Sequence, residues 1–371
     1  MYIAYMIVLP IFMKLHNSES SVTTFWLCLL LFGVHGGARL TLPKNVNVPA
    51  VIAFGDSIVD QGANNNLNTL IKSNFSPYGK DFVDGKSTGR FSNNKTPADM
   101  IVEELGIKEH LPAYLQPSLD EKELPTGVSF ASGGSGFDPQ TPKLVGVFSF
   151  ADQLKQFKEY IEKLKRIVGE ERTQNILANS IFLVVAGSDD LANTYFTIGI
   201  RRLQYDIHSY TELMVSSASN FIQDIYQLGA RRIGVFGTPP IGCLPSQRTL
   251  GGGGLRVCAE EYNKAAEIYN NKLQQELAYL TKTHAQSRIL YLDIYNPILA
   301  IIENPVQYGL EVVDRGCCGS GKIEVSVLCN HLLPTCSDDS KYLFWDSYHP
   351  TDKGYSILVN QLLEKYINDF F

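Results

Sequence analysis

Near the two ends of this chain stand three residues of the types that nucleophilic attack on a carbonyl requires. Ser57 supplies a hydroxyl, His349 an imidazole able to take its proton, and Asp346 a carboxylate able to hold that imidazole in one tautomer. Asp346-Ser347-Tyr348-His349 lies just ahead of a helix expected to begin near Thr351, so both side chains can project from one turn towards one place. Taken singly, each residue has a plainer use: a serine after a strand serves turns and caps, and an aspartate before a histidine serves capping. The joint pattern at opposite ends of the chain is what carries the chemistry.

The elements that must position these residues are legible as alternating patterns. Short aliphatic runs at 48–54, 127–131, 181–186, 232–236 and 289–294 predict five buried strands. Between them, amphipathic segments predict helices at 97–105, 150–167, 259–280 and 351–367. Another helix is expected from Ser209, with Ser209 and Glu212 as a capping box and Leu213, Met214, Ala218, Phe221, Ile222 and Ile225 on one face. Strands alternating with helices imply a parallel sheet covered on both faces, because each crossover must be long enough to hold a helix. The fold class is therefore α/β, doubly wound, in one domain from about residue 48 to 371. Ligands in such sheets bind at the carboxyl ends of the strands. The residues found there are Gly55-Asp56-Ser57, Ser132-Gly133-Gly134 and Gly187-Ser188-Asp189-Asp190, small and polar enough to surround one pocket.

Composition narrows the setting. A chain of 371 residues with 44% apolar content can bury a large core, and a net charge of -6 gives no basic excess for phosphate backbones, so nucleic acid is not an expected partner. Lys14, the apolar run at 25–34 and Gly36-Gly37-Ala38 have the order of a secretory signal cleaved near Ala38, preceded by an extension at 1–12. The run is too short to span a bilayer, so no stable membrane span is expected in the mature, secreted chain. Cys28 leaves with the signal. Cys243, Cys258, Cys317, Cys318, Cys329 and Cys336 remain, an even set compatible with up to three disulfides among about 15 possible pairings. A zinc site using His331 and the last four cysteines is the alternative, but adjacent cysteines followed by a wide gap do not match paired ligand spacing. The glycines at 251–254, bracketed by Cys243 and Cys258, read as a loop closed by a disulfide. Asn74 and Asn94 head glycosylation sequons compatible with export.

Phe54-Gly55-Asp56-Ser57-Ile58-Val59-Asp60 resembles the signature of the GDSL esterase/lipase family, in the SGNH hydrolase superfamily. Residues 127–134, 186–190 and 344–350 resemble its later blocks. Segments at 89–92, 237–243 and 317–319 resemble the plant-type branch. The resemblance implies a secreted enzyme of three-layer, flavodoxin-like fold that hydrolyses carboxylic esters, often of lipids, without a metal or organic cofactor. It makes Ser57 the nucleophile, with Asp346 and His349 as partners. The backbone N–H groups of Ser57 and Gly133 become oxyanion donors. An α/β-hydrolase, by contrast, would carry its serine in G-x-S-x-G well inside the chain.

Two positions depart from the family pattern. Gly62-Ala63-Asn64-Asn65 replaces a glycine followed directly by asparagine, a change expected to be structural. More consequentially, Asp189 stands where an asparagine amide would donate to the oxyanion. An ionised carboxylate only accepts hydrogen bonds, so the hole has lost a donor or uses a protonated Asp189, which the neighbouring charge of Asp190 would favour. Hydrolysis of a small-molecule or lipid ester is the leading reading. The same triad would serve acyl transfer to an alcohol, and Asp189 motivates a third reading, a catalytically weak lipid- or glycan-binding protein on a hydrolase fold. The sequence leaves acyl length and oligomeric state open.

Overall fold

Four of the aliphatic runs lie side by side in the computed structural model of the chain, which describes Pro43 and residues 46–371. They are β1 (Val51–Gly55), β2 (Ile181–Val185), β3 (Arg232–Phe236) and β4 (Arg288–Leu292), paired in parallel in that order. Val51 is opposite Ile181, Ile181 opposite Arg232 and Arg232 opposite Arg288, so the strands start level and bring the loops at their carboxyl ends to one edge of the sheet. Every residue of β1 and β2 is buried, as expected of strands covered on both faces.

The covering helices are α1 (Pro97–Glu104), α2 (Gln140–Val145), α3 (Phe150–Val168), α4 (Glu170–Asn179), α5 (Ile207–Gln227), α6 (Pro245–Gly251), α7 (Glu260–Thr283), α8 (Tyr295–Glu303) and α9 (Asp352–Tyr366). Strand side chains alternate between faces. Phe54 points to one layer, its ring centroid 5.3 Å from Phe157 of α3 and 5.1 Å from Phe221 of α5. Val185 and Phe236 have the opposite parity and meet Pro97 of α1 and Val359 and Leu362 of α9 around a small apolar cavity. The architecture is a three-layer α/β/α arrangement with helices flanking the sheet.

The sheet has four strands rather than about five. The segment at 127–131 runs beside β1, with Ala53 N–H donating to Val128 O and Phe130 N–H to Ala53 O, but it forms only isolated bridges at Ser129. It enters through Gly127 at φ +98°, and on its far side Ser129 N–H donates to Pro112 O and Tyr114 N–H to Ser129 O, so a loop and not a further strand lies against it. A second, two-stranded sheet of β5 (Val312–Gly316) and β6 (Tyr342–Phe344) was not anticipated, since neither run has the length or apolar content that marks a strand. The expected capping box at Ser209 does not form. α5 starts earlier, and Asp206 caps it by accepting from Ser209 N–H at 2.7 Å.

Cysteines pair as Cys243–Cys258, Cys317–Cys336 and Cys318–Cys329, which replaces the zinc alternative. Much of the segment inside the first bridge is helical, α6 running through Gly251, so the expected loop is shorter than its glycines suggested. Asn74 is exposed and Asn94 half-buried. Among the described residues no helix is long and apolar enough to cross a membrane. The expected signal at 1–38 lies outside the described residues.

Candidate active site

β1 ends in a position only glycine tolerates. Gly55 has φ +142°, and a Cβ there would overlap the carbonyl of Val185 on β2. From α3, Gln153 clamps this residue at both ends, accepting from Gly55 N–H at 2.8 Å and donating to Gly55 O at 2.9 Å. Asp56 N–H donates to Val185 O, and the chain then turns so that Ser57 stands just past the strand end. Burial raises the Asp56 carboxyl well above its ordinary range, and the charges of Asp189 and Asp190 push the same way.

The imidazole arrives from the other end of the chain. β6 leads into Asp346, whose Oδ1 accepts the backbone N–H groups of Tyr348 and His349 at 2.8 and 2.7 Å, a turn that sets the two side chains together. Asp346 Oδ2 lies 2.7 Å from His349 Nδ1, and His349 Nε2 lies 2.7 Å from Ser57 Oγ. The Phe91 ring packs 4.9 Å from the imidazole. Ser57, Asp346 and His349 are all buried, with Asp346 wholly so. The three residues singled out by type and spacing thus form one hydrogen-bonded chain spanning 292 residues of sequence.

Beside them is a cavity of about 290 Å³. Ile71, Phe91, Leu144, Val145, Ile198 and Val325 make its lining mostly apolar, and Ser57, His349, Asp189 and Asn193 are among its polar lining residues. Gly133 is not among its lining residues. Its N–H, expected at the oxyanion, donates instead to Asp60 Oδ2 at 2.8 Å, and its Cβ position is blocked by the Phe91 ring. Gly134, the next residue, lines the cavity, and its N–H and that of Ser57 make no hydrogen bond with the described residues. Asp60 thus occupies the N–H that the family resemblance assigned to the oxyanion. Its Oδ1 also accepts from Gly62 and Ala63, and burial lifts its pKa to about 6 against those hydrogen bonds and the nearby Arg90 charge.

Asp189 does lie at the cavity. Its Oδ1 accepts from Asn193 Nδ2 at 2.6 Å, and Asn193 Oδ1 accepts from the Tyr348 hydroxyl at 2.8 Å. Burial raises its pKa to about 6, opposed by the positive charge of His349 and by Asn193. Burial, and not the neighbouring Asp190, is what favours its proton. Asp190 faces away and accepts from Phe137 N–H, Asp138 N–H and Thr141 Oγ1. Asn193 was not anticipated. It reaches the site because residues Asp190–Thr197 form a π-helix, a winding that carries no periodicity signal and recurs at functional sites.

The family model described as GDSL-like Lipase/Acylhydrolase matches residues 51–362. The chain is 55% identical over 361 residues to the GDSL esterase/lipase EXL3 of Arabidopsis thaliana, covering 95% of this chain and 99% of the relative. It is 45% identical over 370 residues to EXL2 of the same organism, covering 95% and 98%. Among solved structures, the extracellular lipase of Streptomyces rimosus aligns over 85% of this chain and all of its own length at 15% identity, with a TM-score of 0.37.

Proposed function

The chain belongs to the GDSL-like lipase/acylhydrolase family and is a carboxylic ester hydrolase, and from that premise we propose that it is exported and acts through an acyl intermediate on Ser57. The observation that carries the mechanism is the unbroken chain of short hydrogen bonds from Asp346 through His349 to Ser57. As Ser57 Oγ bonds to the ester carbonyl carbon, its proton passes to His349 Nε2. The Nδ1–H is held by Asp346, which stabilises the imidazolium that forms. The carbonyl oxygen takes the negative charge and is received by the N–H groups of Ser57 and Gly134, joined by Asp189 when it carries a proton. His349 then returns the proton to the departing alkoxide. Water repeats the sequence on the acyl-serine, releasing the acid and restoring the hydroxyl.

A mostly apolar lining that also holds Ser57 and His349 suits an ester whose acyl part is hydrocarbon. A merely binding protein has no use for an imidazole held against a buried hydroxyl, which favours catalysis over the binding-only alternative. Export is supported by the signal-like N-terminus and the paired cysteines, and Asn74, being exposed, is the better glycan acceptor of the two sequons. An active-site phosphonate should label the secreted protein once, at Ser57, and a soluble ester panel should show turnover that Ser57→Ala abolishes. Labelling retained in Ser57→Ala would sink the assignment of the nucleophile.

A further inference from the structure

Asp346 Oδ2 accepts two hydrogen bonds, and only one comes from His349. The other is from the hydroxyl of Tyr78, at 2.7 Å, a residue 268 positions away in sequence and wholly buried. That hydroxyl in turn accepts the backbone N–H of Ser326 at 2.8 Å. With the Ser326 N–H on one of its lone pairs, the phenol has one direction left for its own proton, towards Asp346. Burial and the Asp346 charge push the Tyr78 hydroxyl well above the ordinary tyrosine range, so it remains a neutral donor.

The surroundings of Tyr78 are built to stay still. Ser326 sits inside the loop closed by Cys318–Cys329, at φ +52°, a left-handed conformation uncommon for serine. Its hydroxyl lies 2.6 Å from Leu70 O and 2.8 Å from Lys72 O and accepts from Lys72 N–H at 2.8 Å, which fixes the loop to the segment leading to Tyr78. The Tyr78 ring packs with Trp345, Cys317, Cys318 and Cys329. It does not line the cavity, so it has no route to the substrate except through Asp346.

We propose that Tyr78 is a positioning residue of the hydrolysis, holding Asp346 Oδ2 in register with His349 while the disulfide-closed loop at 318–329 holds Tyr78. The inference rests on the reading of Ser57, His349 and Asp346 as the triad. The Tyr78 hydrogen bond has two effects. It fixes the carboxylate's orientation, and it draws on the electron density of the oxygen that would otherwise stabilise the imidazolium more strongly.

Tyr78→Phe removes only the hydroxyl. The expected result is a fall in kcat of about 10-fold with KM unchanged, since a lost hydrogen bond to a charged group has that order of effect. The acidic limb of the kcat/KM profile should move to higher pH, because a less neutralised Asp346 favours the imidazolium. The other titratable groups facing Asp346 and His349, namely Tyr355, Tyr348 and Asp189, are untouched by the change. A merely structural tyrosine would not move that limb. Rates are expressed per phosphonate-titrated site, so partial misfolding does not imitate the effect. If Tyr78→Phe gives no folded protein, Ser326→Gly keeps the N–H and tolerates the left-handed conformation while freeing the loop from Leu70 and Lys72, and a smaller shift in the same direction is expected. An unmoved acidic limb with wild-type kcat per site, in whichever variant folds, overturns the inference. Ser57→Ala is assayed alongside: activity retained there overturns the triad itself, whereas loss there with an unaffected Tyr78→Phe overturns only the role of Tyr78.

Discussion

Replacing Asp189 by asparagine sets two electrostatic effects in the site against each other. Asp189 lines the cavity and has a pKa of about 6, so about a tenth of molecules carry its proton at pH 7 and about nine-tenths at pH 5. Only the protonated form can donate to a developing oxyanion. If the ionised form is slower by the 10² to 10³ that one missing donor typically costs, the protonated tenth supplies nearly all turnover at neutral pH. Asp189→Asn provides an N–H donor at every pH, and its Oδ1 can keep the hydrogen bond from Asn193. The expected kcat/KM is therefore about 10-fold above wild type at pH 7, about 2-fold at pH 6 and close to equal at pH 5. Against this stands the imidazolium. The His349 charge lowers the Asp189 pKa, so by reciprocity an ionised Asp189 steadies the charge that His349 acquires during attack. The assay is kcat/KM for both proteins on one soluble ester from about pH 4.5 to 8.5. A ratio of one throughout would place Asp189 outside the oxyanion hole. A variant slower than wild type at every pH would show that the carboxylate serves the imidazolium, and the donor role of Asp189 would be refuted.

Three further outcomes are expected. Ser57→Ala and His349→Ala should each lower kcat by on the order of 10⁴ or more with unchanged circular dichroism, and Asp346→Asn should cost as much or somewhat less. Free-thiol titration of the secreted protein should find none of the six paired cysteines, and reduction should lower stability by roughly 2 to 5 kcal/mol per bridge in urea unfolding. Asp60 and Asp189 at about 6 and Asp190 at about 7 are raised above an unfolded aspartate, so the folded form binds the extra protons and their contribution to stability is lost as pH rises from about 4 through 7. Asp99 and Glu324 are lowered and lose theirs as pH falls below about 4, so Tm should peak between about pH 4 and 5, and a maximum above pH 7 would contradict this balance.

Ser57, Asp346 and His349 were legible as a candidate site because the proposed chemistry restricts residue type, and the fold brings these three into one hydrogen-bonded chain. Helices with a clean apolar face, such as α3 and α7, were placed to within a few residues for the same reason. The features that escaped depend on contacts made across the fold. The Gly133 N–H is taken by Asp60, 73 residues away, which nothing local to the glycines reveals. The cap of α5 passed from Ser209 to Asp206 because a helix can start one turn earlier without altering its apolar face. Tyr78 carries no polar pattern at all. Only the loop closed by Cys318–Cys329 turns it from a core aromatic into the outer support of Asp346.

The distance in sequence between Ser57 and His349 also has a meaning in time. At roughly 5 to 20 residues per second, a ribosome needs about 15 to 60 seconds to go from the codon for the hydroxyl to the codon for its base. Throughout that interval the nascent chain carries a serine with no partner to activate it. On the proposed mechanism, a product that stops anywhere before residue 349 lacks its base, however well its first strands have folded. That mechanism confers hydrolytic power only at the end of synthesis, by a turn that must reach back to the first strand.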